Sequence, residues 1–265
     1  MSATSLEQIA GWLRESRHAV AFTGAGISTE SGIPAFRTPG GVWSKYQPVY
    51  YDDFMGSAKA RHEYWRQKCE AHGDFARAQP NAGHHILARW EAAGKLQALI
   101  TQNIDGLHQI AGCKNVYELH GTARAIACQD CGARFDADPL VAQFQETLTV
   151  PVCPRCQAGR LKHATISFGQ TLPEEVLVAA IEHARTCDLF FALGSSLVVE
   201  PAASLPRLAR SDLPGRAGRV RRSKARLIIV NRDPTDQDDS ADAVLRDGLG
   251  ETLTAIDALL TASAS

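Results

Sequence analysis

Short, uninterrupted apolar runs recur along this chain, and each one stops at a cluster of polar and glycine residues. The run at 19–22 stops at Gly24-Ala25-Gly26, and the run at 96–101 at Gln102-Asn103-Ile104-Asp105-Gly106-Leu107-His108. The run at 116–119 ends in His120-Gly121, 188–193 in Gly194-Ser195-Ser196, and 226–230 in Asn231-Arg232-Asp233, with a further apolar run at 243–245. Strands buried on both faces of a parallel sheet read this way, because neither face alternates with solvent. Helical patterns lie at 5–16, where Ser5 and Gln8 form a capping-box pair and Leu6, Ile9, Ala10 and Leu13 share a face, at 84–93 before Gly94, and at 249–260. The chain therefore reads as an α/β fold with a parallel sheet of about six strands. Ligands of open α/β sheets bind at the carboxyl ends of the strands, so five polar clusters converge on one crevice. The alternative is five separate turns, since such loops favour Gly, Ser and Asn in any case.

The first cluster is the most informative. In 18–37, HAVAFTGAGISTESGIPAFR, a strand runs into small residues, which is how a backbone approaches a pyrophosphate. Only half of the dinucleotide fingerprint Gly-x-Gly-x-x-Gly is present, with Thr29 where the third glycine belongs. Ser28 to Pro34 read as a polar loop, and an ordinary strand-to-loop turn stays an alternative.

Composition narrows the class. Lys and Arg number 28 against 29 Asp and Glu, a balance that speaks against general attraction to nucleic acid or membranes. No apolar run is long enough for a bilayer and no signal peptide is evident, so a cytoplasmic protein is expected. Seven cysteines in such a chain point to thiols or metal rather than disulfides.

Four of those cysteines form two Cys-x-x-Cys knuckles, Cys128/Cys131 and Cys153/Cys156, with 21 residues between Cys131 and Cys153. Four thiolates fill a tetrahedral sphere and leave no position for water or substrate, so one structural zinc ion is expected. Free thiols or a redox pair are the alternatives. Cys69, Cys113 and Cys187 have no partner pattern. The segment 123–165 mixes Arg124, Arg134, Arg155, Arg160 and Lys162 with Asp130, Asp136, Asp138 and Glu146, which is no basic stripe for nucleic acid.

Taken together, the motifs resemble the sirtuin family, the NAD-dependent protein lysine deacylases. The resemblance rests on Gly24-Ala25-Gly26-Ile27-Ser28, Gly32-Ile33-Pro34 with Phe36-Arg37, Gln102-Asn103-Ile104-Asp105, Leu119-His120-Gly121, the four cysteines, Phe168-Gly169, Gly194-Ser195-Ser196-Leu197 and Val230-Asn231, in family order. It implies a Rossmann-like NAD-binding domain from 1–43, 81–122 and 166–265. A small domain would be made of a helical insertion at 44–80 and a zinc ribbon at 123–165. It also implies NAD as co-substrate and an acyl-lysine protein or peptide as partner. The products would be nicotinamide, O-acetyl-ADP-ribose and deacetylated lysine. Mono-ADP-ribosyl transfer or plain NAD cleavage on the same scaffold is the competing activity.

Carried over residue by residue, the resemblance makes His120 the general base, for which an imidazole's ordinary pKa is suited at neutral pH. Asn103 and Asp105 take the nicotinamide ribose and carboxamide. Gly24, Ala25, Gly26, Ser28, Gln102, Ile104, Gly194, Ser195, Ser196 and Asn231 join them around the cofactor. Phe36 is a lid that excludes water and Arg37 a phosphate contact. Ile166, Phe168 and Gly169 line the acyl-lysine tunnel. Ala35, Gln170 and His163 stand where the family often has Asp or Thr, Glu, and Pro-x. A basic run at 216–226 is extra; it reads as a solvated loop or as a surface for an acidic partner.

Acyl preference can also be read. Sirtuins that favour succinyl- or malonyl-lysine resemble one another in a Tyr-x-x-Arg pair. Here Tyr64 is followed at that spacing by Gln67, and Arg66 lies about 200° around a helix from Tyr64. Neutral acyl groups, acetyl first, are expected over succinyl.

Overall fold

The computed structural model describes residues 3–35, 47–211 and 224–262. In chain order its elements are α1 (Ala3–Glu15), β1 (Ala19–Thr23), a 3-10 helix (Ala25–Ser31), α2 (Tyr51–Gly56), α3 (Ala58–Arg77), α4 (Ala82–Ala92), β2 (Ala98–Thr101) and α5 (Leu107–Ile110). There follow β3 (Val116–Glu118), β4 (Gly121–Cys128), β5 (Arg134–Asp136), α6 (Ala137–Thr147), β6 (Leu161–Thr165), α7 (Glu174–Thr186) and β7 (Leu189–Leu193). A 3-10 turn (Ala202–Ser204), α8 (Leu205–Arg210), β8 (Arg226–Val230), a second 3-10 turn (Asp238–Ser240), β9 (Ala243–Leu245) and α9 (Leu249–Ala262) complete it.

Six of the strands form one sheet in the order β3-β2-β1-β7-β8-β9, and every pairing is parallel. Successive side chains of these strands enter opposite layers, as strand geometry demands. Ala19, Ala21, Leu99, Phe191, Ile228 and Val230 pack with α1, α4 and α9 through Ile9, Leu13, Ile86, Trp90, Leu253 and Ile256. Val20, Phe22, Ile100, Phe190, Leu227 and Ile229 pack on the other face with Ala180 and Ala184 of α7 and Leu205 and Ala209 of α8. The expected parallel sheet with helices on both sides is the fold observed.

Three local expectations are corrected. α1 begins at Ala3, so Ser5 lies inside the helix rather than capping it. Ser28 to Ser31 of the expected polar loop belong to a 3-10 helix: Gly24 starts it, Ile27 and Ser28 are buried, and Gly32, at φ 84°, ends it, so that only Gly32 to Pro34 are loop. α6 and α7 lie in segments to which the sequence reading assigns no element. α4 starts two residues before its expected position, because Asn81 accepts hydrogen bonds from the Gly83 and His84 amides and forms a capping box with His84.

The remaining strands make a three-stranded antiparallel sheet, β5-β4-β6. It shares one core with α2 and α3: Phe54, Tyr64, Trp65 and Cys69 pack with Ile126, Val141, Phe144 and Leu161. The indole of Trp65 donates to the Leu161 carbonyl at 2.8 Å, crossing from helix to ribbon. Phe54, Tyr64 and Trp65 are thus core, as lone aromatics usually are.

At the tip of this ribbon the four Sγ atoms of Cys128, Cys131, Cys153 and Cys156 all lie within 4.8 Å of one another. Cys128 and Cys156 are 3.8 Å apart, and Cys131 and Cys153 3.7 Å. A tetrahedron with Zn–S bonds of about 2.3 Å has edges of about 3.8 Å, so the thiols fit one structural zinc ion. None of the seven cysteines is in a disulfide. Gly159 belongs to this site although its type gave no hint: a Cβ there would collide with the sulfurs of Cys128 and Cys156. Asp130 in the first knuckle holds the Arg160 amide at 2.6 Å and its guanidinium, which ties the knuckle to β6. Cys153→Ala is expected to release the metal, lower the melting temperature and take activity down with it. Metal content by atomic emission beside a melting curve checks this; a metal-free variant that stays folded and active would refute it.

Candidate active site

Hydrogen bonds continue past the strand ends and draw the loops together. The Gly24 amide donates to the Leu193 carbonyl at 2.9 Å, Gly26 to Gly194 at 2.8 Å, Gly194 to Val230 at 2.8 Å, Gln102 to Thr23 at 2.9 Å and Asn231 to Leu245 at 3.1 Å. The glycines also make a close packing of two loops possible. A Cβ on Gly24 would stand 2.7 Å from the Gly194 oxygen, and one on Gly26 2.7 Å from the Gly194 Cα. They let the loop after β1 lie directly against the loop after β7. Gly194 reciprocates: its φ is 63°, and a Cβ would stand 2.6 Å from the Ile27 nitrogen.

The loops surround a cleft of about 770 Å³ between the parallel sheet and the ribbon with its helices. Of the expected residues, Ala25, Gly26, Gln102, Asn103, Ile104 and His120 line it. So do Gly194, Ser195, Ser196, Asn231, Ile166, Phe168 and Gly169. Gly24 lies just behind this wall. Phe36 and Arg37, and the basic residues Arg216, Arg219, Arg221 and Arg222, lie outside the described residues.

Ser28 and Asp105 are not on the wall but brace it. The Ser28 hydroxyl donates to Asp105 Oδ2 at 2.7 Å, and the Leu107 amide donates to Asp105 Oδ1 at 2.9 Å. Burial pushes the Asp105 carboxyl above the usual range, against these two donors, which lower it. Asn103 Nδ2 donates to the Gly24 carbonyl and to the Ser28 hydroxyl, both at 3.1 Å. The Asn103 amide donates to Thr101 Oγ1 at 3.0 Å, and the Thr23 hydroxyl donates to the same atom at 2.8 Å. Asn103 is thereby held from below while it faces the cleft.

His120 sits between β3 and β4. Its Nδ1 is 3.0 Å from the Gln102 carbonyl, which can only accept, so Nδ1 carries the proton and Nε2 the lone pair. The Ile166 amide donates to the His120 carbonyl at 2.8 Å, joining this residue to the segment that leads to Phe168. Gly121, at φ 69°, allows the approach, since a Cβ there would collide with the Ala164 carbonyl. Gln102 accepts from the Ser195 hydroxyl at 3.2 Å, while its Nε2 is buried without a partner among the described residues. An orphaned donor on the wall of a cleft fits a ligand oxygen.

Phe168 is 40% exposed at the cleft mouth, its ring 5.8 Å from Tyr50, and its carbonyl accepts from the Tyr51 amide at 2.9 Å. Gln170 closes its own turn by accepting from the Ser167 amide at 3.2 Å. Arg246, Asp247 and Gly248 after β9 also line the cleft. Arg246 Nη1 donates to the Asn231 and Asp233 carbonyls at 2.9 and 2.8 Å and so shapes the loop after β8. The pattern of polar clusters at strand ends, followed to the sixth strand, would have found them. Thr29, Lys68, His72 and His163 on the wall had no such signal.

The comparisons agree with this geometry. The family model for the Sir2 family matches residues 24–201. The chain is 45% identical over 253 residues to the "NAD-dependent protein deacetylase" of Rhodopseudomonas palustris, covering 95% of each. It is 42% identical to the "NAD-dependent protein deacylase 2" of Archaeoglobus fulgidus, covering 91% of this chain and 90% of that one. A solved structure described as "Sir2-p53 peptide-NAD+" superposes with a TM-score of 0.83 at 35% identity, covering 98% of this chain and 99% of that one.

Gly194→Ala is expected to lower the melting temperature by roughly 3–10 °C, as ~1–3 kcal/mol of strain would. Gly11→Ala, with open space around it in α1, should be neutral or slightly stabilising. Thermal melts of the two variants decide; equal behaviour would refute the packing role of Gly194.

Proposed function

The chain belongs to the Sir2 family, and from that premise we infer that its cleft removes acetyl groups from protein lysine side chains while consuming NAD. It is an NAD-dependent protein deacetylase. The reaction takes up NAD and water and yields deacetylated lysine, nicotinamide and O-acetyl-ADP-ribose.

The observation that carries the site assignment is the setting of His120. With Nδ1–H held by the Gln102 carbonyl, Nε2 is the basic nitrogen, on the wall that also presents Asn103 and Ile166. A base so oriented can take a proton from a ribose hydroxyl when the acyl group is transferred to it. Asn103 is rigid and polar and would orient the nicotinamide ribose. The carboxylate of Asp105, already engaged with Ser28 and Leu107, keeps that loop in place. The backbone of Gly24 to Gly26, the side chains of Ser195 and Ser196, and Asn231 would hold the rest of the dinucleotide. Ile166, Phe168 and Gly169 would receive the acyl-lysine of a protein or peptide.

The domain division expected from the sequence is kept as part of this reading, with the cleft between the two parts as the place where both substrates meet. No helix among the described residues is long and apolar enough to cross a membrane. Cysteines free of disulfides support a cytoplasmic setting.

His120→Ala is expected to abolish product formation and leave NAD binding within roughly tenfold, since a general base contributes to rate more than to ground-state affinity. The measurement is mass spectrometry of products from NAD and an acetyl-lysine peptide, beside calorimetric NAD titration. Wild-type turnover by the variant would remove His120 from the role. Plain ADP-ribose or an ADP-ribosylated protein would favour the competing activity.

A further inference from the structure

Behind the wall of the cleft lie two buried imidazoles that the proposed reaction does not use. His84 stands in the first turn of α4 and is 0% exposed; His108 stands in α5 and is 1% exposed. Their ring centres are 4.8 Å apart, and neither is among the residues lining the cleft. His84 Nε2 and His108 Nδ1 have no hydrogen-bond partner among the described residues, and polar atoms in a core rarely go unpaired without a reason.

The neighbours of each ring dictate its tautomer. Burial holds His84 down to about 4 and His108 well below the usual imidazole range, so both are neutral at neutral pH and carry one proton each. The Asn81 backbone amide, which can only donate, is 3.3 Å from His84 Nδ1, so Nδ1 accepts and Nε2 carries the proton. His108 Nε2 is 2.9 Å from Thr23 Oγ1, whose own proton goes to Thr101 Oγ1 at 2.8 Å. His108 Nε2 therefore donates and Nδ1 keeps the lone pair. The two atoms left over are a donor on His84 and an acceptor on His108. Imidazoles joined nitrogen to nitrogen at about 3 Å have centres about 5 Å apart, close to the spacing observed.

Both ends of this row of groups grip what holds Asn103. At one end, the Asn81 side chain donates to the Ile27 carbonyl at 2.7 Å and to the Ser31 hydroxyl at 2.9 Å, fixing the 3-10 helix that carries Ser28. At the other end, Thr23 immediately precedes Gly24, and Thr101 Oγ1 accepts from the Asn103 backbone amide at 3.0 Å. Gly24 and Ser28 are the two partners of the Asn103 side-chain amide. His108 follows Asp105 by three residues, so through its ring the loop after β2 is tied back to the end of β1.

Resting on the deacetylase reading of the cleft, we propose that His84 and His108 are a positioning pair for Asn103. His84 Nε2–H donates to His108 Nδ1, and the row Asn81, His84, His108, Thr23, Thr101 sets where Asn103 stands against the nicotinamide ribose. Neither imidazole touches a substrate or moves a proton in the reaction. Hydrogen bonds that all run in one direction polarise and stiffen one another. Slack in the row reaches Asn103, and a bound substrate tolerates little misplacement of the groups that orient it.

Substitutions at the two histidines test this in the full chain, with NAD and an acetyl-lysine peptide, beside calorimetric NAD titration and a melting curve. In His108→Gln the amide nitrogen reaches the place of Nε2 and keeps the donor to Thr23; in His108→Asn, one methylene shorter, it does not. His108→Asn should lower kcat/KM for NAD by roughly tenfold or more and leave KM for the peptide within about twofold, since the pair acts on the nicotinamide side alone. His108→Gln should stay within about threefold of the wild type, as rescue by a retained hydrogen bond implies. His84→Leu should resemble His108→Asn, and the two together should be within about twofold of the poorer single variant, because residues that act as one unit are not additive. Where His108→Asn fails to fold, Thr23→Val keeps the shape of its residue, removes the acceptor and should show the same loss. Equal losses in the Gln and Asn variants, multiplied losses in the double variant, or a lower melting temperature with kcat/KM for NAD unchanged would reduce the pair to core packing and overturn the proposal. A wild-type chain that binds NAD without deacetylating would instead remove the deacetylase reading. The NAD affinities would then decide the pairing, with a loss of roughly threefold or more expected in His108→Asn and none in His108→Gln.

Discussion

The contact on which the site depends is backbone against backbone, between the loop after β1 and the loop after β7. Gly24 and Gly26 approach Gly194 and Ser195 so closely that no side chain fits between them. Because β1 and β7 are neighbours in the sheet, this contact is a continuation of their pairing. It forces Ala25–Ser31 into a tight 3-10 helix, which in turn buries Ser28 beside Asn103 and Asp105. A single steric constraint therefore sets the positions of three strand-end loops. The glycines of the half-complete fingerprint make room for the neighbouring loop, and the Thr29 hydroxyl at the third position donates to the Gly26 carbonyl at 2.9 Å.

The second organising feature is a core shared by two segments far apart in sequence. α2 and α3 are amphipathic and cover the ribbon, while the ribbon alone is three short strands and one helix. Neither could bury enough apolar surface by itself. The cysteine quartet closes the ribbon at its tip, and Trp65 and Tyr64 join the helices to β6. Docking these pieces above the carboxyl ends of the sheet converts an open crevice into a cleft with two chemically different ends.

That difference is electrostatic. The sheet side carries carboxylates and backbone polar groups, and the insertion side carries Lys68, His72 paired with Asp138, and His163, whose ring nitrogens have no partner among the described residues. His120 stands between them, its tautomer set by a carbonyl of the Gln102–Asp105 loop. In the proposed function, a base at this boundary would serve both substrates.

The sequence by itself determined the sheet, because strands buried on both faces must be continuously apolar and must end in polar residues. It also determined the cysteine quartet and the position of His120, since knuckle spacing and strand-end motifs are local. Only the tertiary structure decided what those residues face. Asp105 braces a loop, Gly24 and Gly26 admit a neighbouring loop, and Gly159 yields space to sulfur atoms, none of which local spacing expresses. Lys68 and His163 are 95 residues apart, and neither belongs to a motif or a periodic pattern. They meet because α3 packs across β6, and long-range packing of that kind has no signature in the one-dimensional pattern.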